Sequence, residues 1–345
     1  MAKLCLLLWM ICFRFCRVKN LRVSGFVSNK RGFINMDSSK KVVVTGPTGV
    51  IGTAVIKKLI EEKCKVYAVI RRDSKRIGNI PVHENVKVIY CDIAELQLLS
   101  EKIGESCDIF YHFAWTGTDN PANRMNMYIQ TENIRYALDA AEAAKSLGCS
   151  VFIGCGSQAE YGTGGGVMSV EREAKPVSGY GMAKLCAGQM TRVMCRQYGI
   201  RHIWPRIVST YGPNDAPQTL ISTVIKKLLA GERPSLTKCE QVWDYLYSAD
   251  AAEAFWAMAE KGRDGAVYVL GNGNRITLKE CVEAIRRELL SSVEIGYGDI
   301  PYYADQVMHL EADISALRQD TGWQPSTSFA DGIRETIAAM QKSRR

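Results

Sequence analysis

Apolar runs of strand length recur along the chain, and each gives way to a stretch patterned for a helix. The run at 42–44 (VVV) leads into "GPTGVIGTAVIKKLIEE", where Ile51, Val55 and Leu59, with Ile56 and Ile60, line one helical face. Further runs stand in "KVYAVIRRDS", "VKVIYCDI", "CDIFYHFAW" and "VFIGCG", with helical stretches such as "TENIRYALDAAEAAKSLG" among them. This alternation predicts an α/β fold built on a doubly wound parallel sheet. In such sheets ligands bind at the carboxyl ends of the strands, where Asp92, Ile93 and Ala114 fall. No period of 20–50 residues repeats, which argues against a solenoid or propeller.

Composition changes this picture little. The chain has 345 residues, 47% hydrophobic and 23% charged, enough for about two domains with a large core. The net charge of +8 is concentrated at one end: residues 1–40 hold eight Lys/Arg and one acid, so the rest is close to neutral. No basic domain exists to grip a nucleic acid. The opening "MAKLCLLLWMICFRFCRVKN" has an apolar stretch at 4–13, about half of the ~20 residues that span a bilayer. Arg14 and Arg17 follow it and no small-residue cleavage site appears, so residues 1–38 are read as an extension, disordered or not native, with Met36 the natural start. A weak membrane-associating segment is the less favoured reading. The 12 cysteines are scattered without a CxxC pair and the four histidines lie far apart, so no metal or disulfide framework is expected. Free thiols suit a reducing cytoplasm.

Two places carry candidate chemistry. Gly46, Gly49 and Gly52, with Thr48, Val50 and Ile51 among them, form a strand-to-helix turn. Such a turn lets backbone approach a diphosphate that the helix N-terminus also attracts, and Gly52 lets the helix pack closely on the strand. Without a GK[ST] triplet it is no nucleotide-hydrolysing loop. Arg71 and Arg72 end the next strand, where an NAD enzyme usually has an acid for the ribose hydroxyls; two arginines there favour the 2′-phosphate of NADP.

The second place is Ser157, at the tip of the run "VFIGCGS", 23 residues before Tyr180 in "SGYGMAK". Tyr180 and Lys184 are four apart and share a face on a helix. Hydride exchange between a carbinol carbon and a nicotinamide needs a proton to move on the oxygen. A free phenol titrates at about 10, too high for a base at neutral pH, and the Lys184 ammonium is expected to lower it. Tyr180 is then general base in oxidation and general acid in reduction, with Ser157 hydrogen-bonded to the substrate oxygen. His112 reads as a hydrogen-bonded core residue, Trp115 as packing or pocket wall, and "GTGGGVMS" as a flap or surface loop.

These motifs, with "HFA" at 112–114, "PRIVSTYGPND", "WDYLYSADAAEAF" and "DISALRQDTGWQPSTSFADGI", make residues 40–340 resemble the extended short-chain dehydrogenase/reductase family, in its nucleotide-sugar epimerase/dehydratase branch. The resemblance implies an NAD(P)-binding Rossmann domain over 39–205, rejoined by 240–272. A smaller C-terminal α/β substrate domain is implied over 206–239 and 273–345, and the family is commonly homodimeric. It assigns Gly46, Gly49, Gly52, Asp92, Ala114, Tyr180 and Lys184 to the cofactor, and Ser157, Tyr180 and Lys184 to catalysis. Gln158, Arg206 and Trp243 are expected to face the substrate, with anchoring of the domain junction an equal alternative for Arg206. The chain also departs from the family. The acidic pair that follows the catalytic Ser/Thr in sugar dehydratases is replaced by Gln158 and Ala159, leaving Glu160 one place on. The diphosphate arginine of "RDY" is Trp243, and "IPYYADQVM" offers Tyr302 and Tyr303 where a second arginine is usual. The expected activity is an NADP-preferring 4-ketoreductase or epimerase of a sugar, with NAD left open as cofactor and a nucleotide-linked hexose as the favoured substrate. A non-catalytic NADP sensor or scaffold, and a reductase of a non-nucleotide carbonyl, stay open.

Overall fold

A computed structural model describes residues 39–118, 120–303 and 306–342. The N-terminal extension expected at 1–38 lies outside the described residues. The strands are β1 (Lys41–Thr45), β2 (Lys65–Ile70), β3 (Val86–Tyr90), β4 (Ile109–His112), β5 (Val151–Ile153), β6 (Gly156–Ser157), β7 (Arg201–Ile207) and β8 (Ala266–Leu270). They form one parallel sheet in the order β8-β7-β5-β4-β1-β2-β3, with β6 beside β7. The order reverses between β1 and β4, the position at which a doubly wound sheet opens a crevice for a ligand.

The central strands β1, β2, β4 and β5 are mostly apolar because both faces are covered. Val42 and Val44 of β1 pack against Val55, Ile56 and Leu59 of helix α1 (Val50–Glu61) in one core cluster. Val43, between them, belongs to a second cluster on the opposite face. There Phe110 and Phe152 meet Ala140, Ala141 and Ala144 of helix α2 (Met127–Ser146) and Cys195 of helix α3 (Gly179–Tyr198). A third cluster, from Tyr211 to Ile337, unites the helices Leu220–Leu229, Leu278–Glu288 and Phe329–Lys342. No helix among the described residues is long and apolar enough to cross a membrane.

One column of rings sets the height of α3 above the sheet. Phe110, Phe152, His202 and Trp204 stack successively at centroid separations of 5.8, 5.8 and 6.1 Å. His202 is buried and bonded to Thr191 Oγ1 at 2.9 Å, and burial pushes its titration down to about 4, so it stays neutral. Trp204 ends the column under α3, where Gly188 leaves room for it: a Cβ at 188 would lie 2.6 Å from the indole.

The segment read as a flap is partly a strand. Gly166–Met168 pairs in parallel with Leu310–Ala312, a partner 144 residues away that local pattern does not reveal. Arg172 donates to the carbonyls of Gly165 (3.0 Å) and Val167 (3.3 Å) and pins the glycines before it.

Gly188→Ala is expected to overpack the Trp204 seat and lower stability by about 1–3 kcal/mol. A urea unfolding midpoint equal to that of the unmutated chain would show that α3 is not held by this contact.

Candidate active site

The glycine turn has the shape of a diphosphate cradle. Gly46 takes φ +69°, open to glycine, and a Cβ there would meet Ala114 N at 2.7 Å. Gly52 allows the first turn of α1 to lie on the turn itself rather than on the strand: its Cβ would be 2.2 Å from Gly46 O. The N-terminus of α1 begins at Val50 behind Gly49, with no side-chain cap. Its first N–H groups, those of Val50, Ile51 and Gly52, are thus directed at whatever lies beyond the turn. These residues fit the diphosphate of a dinucleotide. Thr48 contributes its carbonyl, which accepts from Arg76 (2.8 Å) and Asn79 (3.0 Å), while Arg76 also reaches Asn214 O at 3.2 Å. Arg76, which the sequence reading passed over, ties the turn to the loop after β7.

Arg71 and Arg72 lie just past β2 and are exposed; Arg71 pairs with Asp73 (3.1 Å), and the Arg72 guanidinium lies 5.5 Å from the Tyr90 ring centroid. Asp92 stands past β3 and accepts from Ala94 N at 2.9 Å, so its carboxylate caps the short 3₁₀ helix Ile93–Leu98. Ala114, past β4, donates its N–H to Thr45 Oγ1 at 3.4 Å. His112 binds the same hydroxyl through Nδ1 (3.0 Å), and burial holds its titration down at about 3.

Ser157, Tyr180 and Lys184 come together at the tip of β6. Ser157 is extended and begins the turn Gln158–Tyr161: its hydroxyl accepts from Ala159 N (3.2 Å), and its own N–H donates to Glu160 Oε1 (2.9 Å). The same hydroxyl is near enough to the Tyr180 phenol to favour its ionised form. Tyr180 sits between two glycines at the start of α3, and each glycine permits one close approach. A Cβ at Gly181 would lie 2.3 Å from Ala159 O, and one at Gly179 would lie 2.8 Å from Met127 Sδ. Ser178 caps the helix by accepting from Gly181 N at 3.1 Å.

The charges differ from expectation. Lys184 is buried; it donates to Cys155 O at 2.6 Å, and its ammonium lies 3.6 Å from the Trp115 ring centroid but 5.7 Å from that of Tyr180. Burial drops its titration to about 8. The Tyr180 phenol, which the ammonium was expected to lower, is instead pushed up to about 12 by burial, with Cys155 adding to the rise and Ser157 and Arg124 opposing it. Trp115 is a wall of this site: its indole meets Tyr180 edge-on at 6.1 Å and donates to Gln130 Oε1 at 2.9 Å.

Glu160 faces inward. Its side chain is 0% exposed and accepts from Ser157 N, Trp204 Nε1 (3.1 Å) and Arg206 Nε (2.7 Å). Arg206, read from the sequence as a substrate residue, spends its guanidinium on this buried pair and on the face of Tyr161, 4.6 Å from its centroid. Gln158 lies in the turn, half-buried. Trp243 donates to Ser209 Oγ at 2.8 Å. Ser209 is two residues beyond Ile207, the register partner of Ser157, and lines a cavity of about 160 Å³ with Asp215 and Tyr245. Tyr302 is tied to Glu240, accepting from its N–H at 3.0 Å, whereas Tyr303 is exposed.

The model of the NAD dependent epimerase/dehydratase family matches residues 42–271. The chain is 26% identical over 310 residues to CDP-abequose synthase of Salmonella muenchen, covering 89% of this chain and all of that one. It is 26% identical over 332 residues to dTDP-glucose 4,6-dehydratase of Neisseria gonorrhoeae, covering 87% and 95%. Among solved structures, a UDP-N-acetylglucosamine 4-epimerase from Methanobrevibacter ruminantium superposes with TM-score 0.80 at 25% identity, over 88% of this chain and 99% of that one. UDP-glucose 4-epimerase from Thermotoga maritima shares the fold, with TM-score 0.78 at 23% identity over 88% and 100%.

Two outcomes follow from the buried charges. Glu160→Gln leaves the Arg206 guanidinium buried without a counter-charge and is expected to cost about 3–5 kcal/mol of stability in urea unfolding; a variant of unchanged stability would mean the pair is not structural. Lys184 titrates lower in the fold than when unfolded. Between about pH 8 and pH 10.5 the folded chain therefore releases this proton first, and stability rises with pH. Relative to Lys184→Met, the chain should gain on the order of 1 kcal/mol per pH unit across that window. Parallel stability curves would place the ammonium in solvent.

Proposed function

The chain belongs to the NAD-dependent epimerase/dehydratase family, and from that premise we propose that it is an NADP(H)-preferring 4-ketoreductase of a nucleotide-linked sugar, with Ser157, Tyr180 and Lys184 as its catalytic residues. The observation that carries this reading is the position of Glu160. Removing water from a sugar needs an acid and a base beside the catalytic serine. Gln158 and Ala159 cannot trade protons, and Glu160 is fully engaged beneath the sheet tip by Ser157, Trp204 and Arg206. What the remaining groups can do is move one proton on one oxygen.

The cofactor, when bound, supplies the hydride. This reading takes the glycine turn and the N-terminus of α1 as the diphosphate site, and exposed Arg71 and Arg72 as partners of a 2′-phosphate. The Ser157 hydroxyl orients the substrate oxygen beside the phenol, and Tyr180 gives that oxygen its proton. A phenol pushed up to about 12 is protonated at neutral pH, the form in which Tyr180 acts as general acid in a reduction. Lys184, anchored on Cys155 O at the same tip, is taken in this reading as the residue that holds the ribose. The relatives named above are, by those names, proteins of CDP-, dTDP- and UDP-linked compounds, which supports a nucleotide-linked substrate. The same reading takes 39–205 with 240–272 as the cofactor domain and 206–239 with 273–345 as the substrate domain. It takes the chain as a homodimer through exposed Tyr128 of α2 and Met182, Met190 and Val193 of α3.

The test is incubation of the purified chain with NADPH or NADH and a panel of nucleotide-linked 4-keto-6-deoxy sugars, with cofactor absorbance and product NMR followed together. The expected result is stoichiometric loss of NADPH with a new carbinol signal, slower with NADH. Tyr180→Phe should lower turnover by about 10²–10⁴-fold while cofactor binding persists. An altered sugar without cofactor loss would assign an epimerase instead, and undiminished turnover in Tyr180→Phe would remove the triad. Cofactor binding with no turnover on any sugar would favour a sensor or scaffold.

A further inference from the structure

Arg124 lies in the last turn of the short helix Pro121–Met125, in a segment that no motif covers, yet its guanidinium lies 5.0 Å from the Tyr180 ring centroid. Among the described residues no carboxylate pairs with it. The main chain of this segment is held from two sides. Gln130, buried at the first turns of α2, donates to Asn123 O at 2.9 Å while accepting from Trp115 Nε1. Gly179 lets the start of α3 come so near that a Cβ there would lie 3.3 Å from Arg124 O. The side chain is thus delivered to the Tyr180 ring by fixed backbone.

The groups that face Tyr180 can be taken element by element. From α3 comes Lys184, whose ammonium is directed at Cys155 O and the face of Trp115. The tip of β6 and its turn supply Cys155, Ser157 and Glu160; the thiol and the carboxylate oppose a negative phenol oxygen, and the Ser157 hydroxyl supports it. The short helix supplies Arg124, and its positive charge also supports a negative oxygen. A cation near an aromatic ring is attracted to the neutral ring through its quadrupole, and more strongly to a phenolate through its full charge. Guanidinium also keeps its charge at any working pH, which a buried ammonium does not.

We propose that Arg124 is a positioning residue for the reaction, holding the Tyr180 ring and stabilising the negative charge left on its oxygen as the proton passes to the substrate oxygen. This is the work that the YxxxK spacing assigns to Lys184, moved to a residue 60 positions earlier in the chain. It rests on the proposed role of Tyr180 as proton donor, and solvent returns the proton to the phenolate afterwards.

The test reads the phenol directly and needs no substrate. The full chain is labelled with 3-fluorotyrosine, which brings phenol titration into a milder range, and the ¹⁹F resonance of residue 180 is identified by its loss in Tyr180→Phe. Arg124→Gln is expected to raise the midpoint of that resonance by about half to one pH unit, and Arg124→Lys to keep most of the unmutated value. The alkaline limb of the pH–rate profile should move in the same sense, with kcat falling more than KM changes. A Tyr180 midpoint unmoved by Arg124→Gln would overturn the proposal, even if the chain proves a good reductase. A shifted midpoint in a chain that reduces none of the sugars would uphold the electrostatic link while the activity assignment fails.

Discussion

The buried carboxylate of Glu160 is the joint on which the site depends. A carboxylate and a guanidinium removed from water lose several kcal/mol of solvation each, and only full hydrogen bonding makes their burial tolerable. Here one oxygen accepts from the Ser157 amide and the Trp204 indole, and the other from Arg206. These bonds join the loop after β6, the body of β7 and the aromatic column under α3. The backbone of Ser157 is thereby held extended with its hydroxyl facing Tyr180, while Trp204 sets the height of the helix that carries Tyr180 and Lys184. A residue that never meets a substrate thus fixes the geometry of three that the reading assigns to it.

Burial also decides the charge states around the phenol. Closing the tip of β6 against α3 strips water from Lys184 and Tyr180 together, and each shifts toward its neutral form. The ammonium finds a carbonyl and an indole face rather than the phenol, so the cation–phenol pair suggested by the spacing is replaced by a wider arrangement in which Trp115 stands beside both side chains. The site is consequently drier and less charged than a four-residue spacing on a helix implies.

What was legible in the chain was what is local. The VVV run, the glycines at 46, 49 and 52, and the tyrosine and lysine one turn apart are short patterns whose physical meaning survives without a tertiary context. The switch of core face between Val43 and its neighbours follows from strand periodicity alone. Partnerships across distance were illegible. What engages Glu160, one place beyond the replaced acidic pair, was hidden because Trp204 and Arg206 are 44 and 46 residues further on. The two readings of Arg206, cleft residue or anchor, could not be separated for the same reason, and the glycine-rich stretch hid a strand whose partner lies 144 residues further on. Lys184 was assigned to Tyr180 by spacing alone, since neither the carbonyl of Cys155 nor the ring of Trp115 can be placed by counting residues.

The glycines on either side of Tyr180 set the phenol by subtraction. The helix start rests on the 124–127 segment through one absent methyl and on the 158–161 turn through the other. Neither contact involves the identity of a side chain in those two segments beyond Met127. Apart from Arg124, Met127 and Glu160, whose side chains the site uses, positions in both segments can change without shifting the phenol, as long as 179 and 181 stay bare. In evolutionary terms the rest of these two borders can drift while the phenol keeps its place.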